Sequence, residues 1–528
     1  MTRFLSSSSI LTLALVLAGC ATPVPQVLKP TDLPQGFEAP VAKNAPVWPS
    51  ADWWSGFGSP EMTGFIATAQ KDNLTLAQAY AAVLQAQAQA GIARSALFPT
   101  LDANASAQRS GSKGGSSVIV GAPPTNKFVS EDQFSLGLAA AYQLDLFGKN
   151  RDTLAAADEA LRSSTYAQEV VELTVNATVA NTYLSVLALR ERIKIAQDNL
   201  DAVNRILAIV KAKVQNGVSS NLDLAQEQAQ AAAQEATIPA LKEQEREAKN
   251  SLAVLLGRVP EGFTVDAQNL NAVGAPAVAP GLPSDLLLRR PDVAEAEALL
   301  ASSHANVDAA RAAFFPSIGL SAQGGVASST LGKLFSGGFF YSLAAQALQT
   351  IFDGGLLASE SDEAKAVQLQ DVANYRSVVI SAFADVERAL GESASFTEQE
   401  GLLADEVKNA AEAFRISELQ YREGVADLLT VLQAQQTLFT AEDQLVQTKL
   451  ARRQASVGLY QALGGGWSSD AKDNTQKFPA STIAVTPEAP IEPAPVVAAP
   501  AATTTATPAT TAPVPATTAA PVTTPTKP

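Results

Sequence analysis

Between Phe134 and Leu146 every second residue is apolar: Phe134, Leu136, Leu138, Ala140, Tyr142, Leu144 and Leu146 alternate with Ser135, Gly137, Ala139, Ala141, Gln143 and Asp145. A period of two predicts a strand with one greasy face and one wet face. The strand runs through Asp145-Leu146-Phe147-Gly148 into a stretch, about Lys149 to Val214, that contains neither Pro nor Gly. Within it Ile193, Ala196, Leu200, Val203, Leu207, Val210 and Val214 recur at steps of three and four, the seam of a coiled coil. A helix of roughly 65 residues at ~1.5 Å per residue would reach about 100 Å, far beyond an ordinary domain. It is predicted to end near Asn216-Gly217, where glycine can take a left-handed cap, and a return helix is predicted from Ser220 or Asn221 to Gly257. Pro239 lies inside that return helix and predicts a kink or break there.

Upstream, an Ala/Gln-rich pattern predicts one helix from about Pro60 to Leu97, stopped by Phe98-Pro99. Leu101, Ala103, Ala105 and Ala107 then alternate with Asp102, Asn104, Ser106 and Gln108, a second strand of the same kind. The Gly/Ser-rich stretch from Arg109 to Asp132 predicts an exposed loop between the two strands. Trp53 and Trp54 open the folded part and are expected to be packing anchors. After a Gly/Pro/Val linker, about Arg258 to Pro280, the order starts again. Arg94-Ser95-Ala96-Leu97-Phe98-Pro99 is answered by Arg311-Ala312-Ala313-Phe314-Phe315-Pro316, and a strand at Ile318, Leu320, Ala322 and Val326 follows. Tyr341, Leu343, Ala345 and Ala347 lead through Ile351-Phe352-Asp353-Gly354-Gly355 into a second long helix. Gly217-Val218, Leu222, Leu224, Gln226 and Gln228 match Gly424-Val425, Leu429, Val431, Gln433 and Gln435 at one constant offset. The folded region is therefore read as two tandem repeats, 51–280 and 281–466, each helix, strand, strand, long helix and return helix.

Composition narrows the function. The chain has 528 residues, 47% of them hydrophobic, and a net charge of −15 without a basic cluster, which argues against a nucleic-acid partner. With one His and one Cys, no Ser-His-Asp or Cys-His centre and no His/Cys metal cluster can be assembled, and the carboxylates that a glycosidase, the remaining enzyme rival, would pair are scattered on solvated helix faces, so the chain is read as a non-enzyme without a cofactor. His304 is expected to be structural. The cysteine is placed tellingly: residues 1–19 have Arg3, an apolar run from Ile10 to Leu17 and small residues, the form of a secretory signal. Leu17-Ala18-Gly19-Cys20 resembles the lipobox of bacterial lipoproteins, which implies S-diacylglycerol and N-acyl groups on Cys20 and, with Ala21 next, export to the outer membrane. Residues 20–50 are expected to be a Pro-rich tether, and 467–528 a disordered Pro/Ala/Thr tail.

No stretch offers about 18 uninterrupted apolar residues, so any span must be a barrel. Each repeat supplies two strands of about ten residues, the length of a tilted membrane strand. Four strands cannot close, so self-association must supply the rest: two, three or four chains would give eight, twelve or sixteen strands. The long helices should continue away from the barrel as a tube with a wet inner wall. A small soluble sheet capping a helical bundle is the blander alternative.

Gly281-Leu282-Pro283-Ser284-Asp285-Leu286-Leu287-Leu288-Arg289-Arg290-Pro291-Asp292-Val293 resembles the hallmark of the outer-membrane efflux proteins, the TolC/OprM-like lipoproteins of the NodT subgroup. Tyr142 to Gly148, Tyr421 to Val425 and Asp52-Trp53-Trp54 are similar to further patterns of that family, and the likeness covers about Cys20 to Gly466. The resemblance implies a homotrimer with a twelve-stranded outer-membrane barrel and an α-helical periplasmic tunnel. It also implies a periplasmic membrane-fusion adapter docked at the tunnel tip and an inner-membrane pump of the RND class. The expected function is the outer-membrane channel of a tripartite efflux system; type I protein secretion and a lipidated periplasmic adapter are the alternatives. The adapter-docking turns would be Gly217, Val218, Gly424 and Val425. The periplasmic gate would be formed at Leu429 and its counterpart Leu222. The family's acidic position one turn further falls on Gln433, an uncharged departure, so Asp427 and Asp223 are the nearby carboxylates that could carry charge or cap helices.

Overall fold

The computed structural model describes residues 36–40, 45–115 and 125–467; Cys20, the signal segment and the tail beyond Trp467 lie outside the described residues. A short 3-10 helix, Trp53–Phe57, leads into helix α1, Pro60–Asp72, and α2, Leu74–Ser95. Strands β1, Thr100–Gly115, and β2, Thr125–Leu144, come next, followed by α3, Lys149–Gln215, and α4, Asn221–Leu255. The second repeat gives α5, Pro291–Ala312, β3, Ser317–Ser328, β4, Gly338–Leu348, α6, Leu356–Arg422, and α7, Leu428–Ala462. Both long helices have 67 residues and both return helices 35, so the two hairpins match residue for residue in length. A 67-residue helix is about 100 Å long. Among the described residues no helix is long and apolar enough to cross a membrane.

The four strands form one antiparallel sheet in the order β1-β2-β3-β4. Directly opposed residues in an antiparallel pair share a face. Leu101 opposes Ala140, Ala105 opposes Leu136, Leu138 opposes Gly324, Tyr142 opposes Leu320, and Leu320 opposes Ala345, so the apolar positions of all four strands make one continuous face. Asp102, Asn104, Ser106, Gln143, Ser321, Gln323 and Gln346 fall on the other. Leu101, Leu138, Leu343, Tyr341 and Phe339 are all more than half exposed to solvent in the single chain, an apolar expanse that a soluble surface does not carry. From Phe134 to Leu144 the face rises about 33 Å along the strand, which at the ~40° tilt of barrel strands covers about 25 Å, the height of an outer-membrane apolar band.

Three expectations are corrected. The stretch from Arg109 to Asp132 is largely strand: β1 and β2 stay paired through Arg109↔Asp132 and Ser112↔Val129 and on to Gly115↔Thr125. Paired backbone carries a polar ribbon past the apolar band here, with Arg109 Nε 3.5 Å from the Asp132 carboxylate. The helix predicted from Pro60 to Leu97 breaks at Asn73, whose Oδ1 accepts from the amides of Thr75 (2.8 Å) and Leu76 (3.0 Å) and whose Nδ2 donates to the Leu255 carbonyl (2.7 Å). The side chain thus caps α2 and ties it to the end of α4. Pro239 does not break α4, which runs through it. The residues around the proline are packed against α3: Ile238 and Leu241 sit against Ile193 and Ala196, and Gln234 Nε2 donates to the Ala196 carbonyl at 3.2 Å.

Midway along the helices the chain is cinched by buried charge. Arg290, 9% exposed, forks onto Asp292 (3.0 and 2.6 Å), reaches Asp385 on α6 (3.3 Å) and donates to the carbonyls of Ala382 and Ala462. Burial works against its charge, but Asp292 and Asp385 outweigh that and raise the guanidinium above its ordinary value. Arg453 Nε donates to the Val273 carbonyl (2.9 Å), and Arg190 donates to the carbonyls of Val265 (2.7 Å) and Ala267 (2.6 Å), so the linker is pinned to the helices it crosses. Trp53, 2% exposed, stacks on Tyr460 at 5.3 Å and meets Trp54 edge-on at 5.7 Å, the packing role expected of the pair. Upstream, the amides of Glu38 and Ala39 donate to the Glu387 carboxylate (3.2 and 2.6 Å), and Val47 bridges Ala279. His304 accepts or donates through Nδ1 to Gln368 at 2.9 Å.

Candidate functional site: the paired glycine turns

At the end of the helices remote from the sheet, α3, α4, α6 and α7 close around one core. Val203, Ile206 and Val210 of α3, Phe414 and Tyr421 of α6, and Val431 and Leu438 of α7 are buried there, with Leu224 and Ala231 of α4 packed against them. Of the seam read from the sequence, Val203, Val210 and Val214 line this core, whereas Ile193 and Ala196 pack in a separate cluster with Leu241. Lys213 Nζ of α3 donates to the Tyr421 carbonyl of α6 and lies 4.4 Å from that ring centroid, a cation–π tie from one repeat to the other.

Each hairpin turns in the same way. The Val218 amide donates to the Lys213 carbonyl (2.8 Å) and the Gly217 amide to the Val214 carbonyl (3.0 Å); Val425 to Gln420 (2.8 Å) and Gly424 to Tyr421 (3.1 Å) repeat the pattern. These are Schellman caps, and they require the φ of +73° at Gly217 and +79° at Gly424, a region other L-residues enter only at a cost. The next helix is then capped by mirrored chemistry. In the first turn Ser220 caps α4 while Asp223 reaches back to the Ser220 amide (3.1 Å) and takes the Ser219 hydroxyl (2.5 Å). In the second, Asp427 is itself the cap, accepting from the Thr430 amide (2.9 Å) and hydroxyl (2.6 Å). Both acids are engaged locally, and both stay ionised. The Ser219 hydroxyl and the Ser220 amide hold Asp223 below the usual carboxylate range, and Thr430 does the same for Asp427.

The apolar side chains of the turns are unpartnered in the single chain. Val218 and Val425 are 73% and 77% exposed, and Leu222 and Leu429, in the first turn of the return helices, are 66% and 56% exposed. Gln433 lies exposed one turn beyond Leu429. The structure therefore gathers Gly217, Val218, Leu222, Asp223, Gly424, Val425, Asp427, Leu429 and Gln433 at one end of the molecule; Cys20 lies outside the described residues. The sequence reading missed Glu227 and Gln435, both wholly buried here. A signal existed for Glu227: it stands between Leu224 and Ala231, on the apolar stripe of α4, where a carboxylate is out of place.

Known proteins resemble this chain along most of its length. The family described as "Outer membrane efflux protein" matches residues 65–258 and 282–465. The pyoverdine export outer membrane protein OpmQ of Pseudomonas aeruginosa is 38% identical over 476 residues, 89% of this chain and 98% of that protein. The probable efflux pump outer membrane protein TtgC of Pseudomonas putida is 34% identical over 484 residues, 88% and 96% of the two chains. Among solved structures, the outer-membrane channel OprN superposes with a TM-score of 0.76 at 26% identity, covering 85% of this chain and 99% of its own. The open state of the MtrE channel of Neisseria gonorrhoeae gives 0.73 at 30%, covering 86% and 100%.

Proposed function

Because this chain belongs to the outer membrane efflux protein family and is the outer-membrane component of an efflux pump, we propose how its parts assemble and where it is closed. The carrying observation is the sheet: a continuous apolar face with the strand edges β1 and β4 open, joined to two hairpins of about 100 Å. An open edge in lipid leaves backbone groups without partners, so copies of the chain must pair edge to edge. Three copies give twelve strands, with the apolar face toward lipid and the Asp102, Asn104, Ser106 and Gln323 face toward a wet lumen. The six hairpins continue below as a periplasmic tube. A lipid on Cys20 would anchor the chain to the outer membrane.

The tube ends at the glycine turns, where Leu222 and Leu429 form the constriction and Val218 and Val425 offer the apolar knobs to a periplasmic adapter. That adapter in turn joins an inner-membrane pump of the RND class. Gln433 cannot supply ionic closure, so sealing at that ring is apolar, and the carboxylates of Asp223 and Asp427 are engaged in capping. Export is passive through the channel, and the cargo is a small organic molecule chosen by the pump; the OpmQ relative is described as exporting pyoverdine. Single-channel recording of Leu429→Ala tests the constriction. Higher resting conductance in bilayers and greater vancomycin sensitivity in cells are expected, and a variant unchanged in both would remove Leu429 from the gate.

A further inference from the structure

Glu227 is fully buried, and neither carboxyl oxygen has a hydrogen-bond partner. Facing elements offer no compensating charge. On α3, Lys213 is committed to the Tyr421 carbonyl and ring, while Arg205 and Lys211 are exposed. On α6 the neighbour is the Tyr421 phenol, with Glu418 only partly buried and Arg422 exposed. On α7 the buried polar group is Gln435, whose amide oxygen and nitrogen also lack partners; Asp427 is spent on its cap. On α4 itself Asp223, one turn nearer the tip, is held by Ser219 and Ser220, and Glu235, two turns the other way, is exposed. The fold does not need an acid at this place. The position equivalent to Glu227 in the second repeat is Ala434, which packs against the same core.

An uncompensated carboxylate in an apolar layer is tolerable when it carries a proton. We propose that Glu227 is a proton-binding site whose occupancy holds the two hairpins together at the tip, so that the closed tube takes up a proton and opening releases it. The proposal rests on the reading of the glycine turns as the constriction. Burial pushes the Glu227 carboxyl up from 4.5 to about 7. The sign follows. Below the ordinary value the acid is protonated in closed and open forms alike, and pH has no effect. Between the two values the closed form holds the extra proton, so each unit rise in pH disfavours it by up to about tenfold, and by about 300-fold across the window. Above about 7 the dependence is flat again.

The test uses the full-length protein with Glu227→Gln, Glu227→Ala, the residue of the second repeat, and Leu429→Ala as a gauge of the constriction. Melting of the helices by circular dichroism from pH 5 to 8 reads the site, and conductance in bilayers over the same range reads its coupling to opening. The wild type should melt progressively lower than both position-227 variants as pH rises to about 7, and its channel should open more over that same interval. The variants should hold one acid-like conductance throughout. A melting difference that does not change with pH, or conductance profiles of wild type and Glu227→Gln that superimpose, overturns the proposal. If instead Leu429→Ala conducts as the wild type at every pH, it is the constriction reading that fails, while the melting series still decides the proton site.

Discussion

Replacing Arg290 should loosen the waist of the molecule without altering the sheet or the tip. The side chain joins three segments: Asp292 at the start of α5, Asp385 and the Ala382 carbonyl on α6, and the Ala462 carbonyl at the end of α7. Breaking a buried ion pair by removing one partner costs about 3–5 kcal/mol. Here the Asp292 and Asp385 side chains are 29% and 36% exposed, so water recovers part of that loss, and about 2–3 kcal/mol is the expectation for Arg290→Ala. Arg290→Lys keeps the charge and loses the fork, and should cost about 1–2 kcal/mol. The natural probe is tryptophan fluorescence during denaturation in detergent, because Trp53 stacks on Tyr460, two residues before the Ala462 carbonyl that Arg290 holds. The ranking wild type, Lys, Ala should appear in the midpoints. In a double-mutant cycle Arg290→Ala and Asp385→Asn should be non-additive by about 0.5–3 kcal/mol. Additive effects, or an alanine variant as stable as the wild type, would refute the view that this buried charge cluster holds the waist.

Two further outcomes concern the turns. Gly424→Ala puts a Cβ at φ +79° with no neighbour within 4 Å, so only backbone strain of about 1–2 kcal/mol is added, and amide exchange at Val425 should quicken while global melting stays put. Asp223→Ala removes a capping box and should cost about 1 kcal/mol of local stability. Because Asp223 is held below its ordinary range, its contribution is present at neutral pH and fades as pH falls through that lowered value, so wild type and variant should converge only in acid.

The long helices and their turns were legible because their rules are local: Pro- and Gly-free runs, a three-four seam, and glycine where φ must be positive. The alternating strands were legible for the same reason. What the sequence hid was decided by distant partners. The ribbon through Arg109 and Asp132 reads as a loop from its Ser, Gly and Lys content, yet pairing with its neighbour supplies the hydrogen bonds that composition cannot reveal. Asn73 breaks a helix because the Leu255 carbonyl waits for its amide, and Pro239 fails to break one because Ile238 and Leu241 are clamped against α3. Glu227 shows in the sequence only as an acid on the apolar stripe of α4, and its complete burial follows from the three other helices packed over it.

Assembly is the central claim, and the mass of the intact detergent-solubilised complex measures it directly. Native mass spectrometry should give three chains, whose four-stranded sheets together make a closed barrel of twelve strands. A stable complex of two or four chains, or a monomer that inserts and conducts, would contradict it.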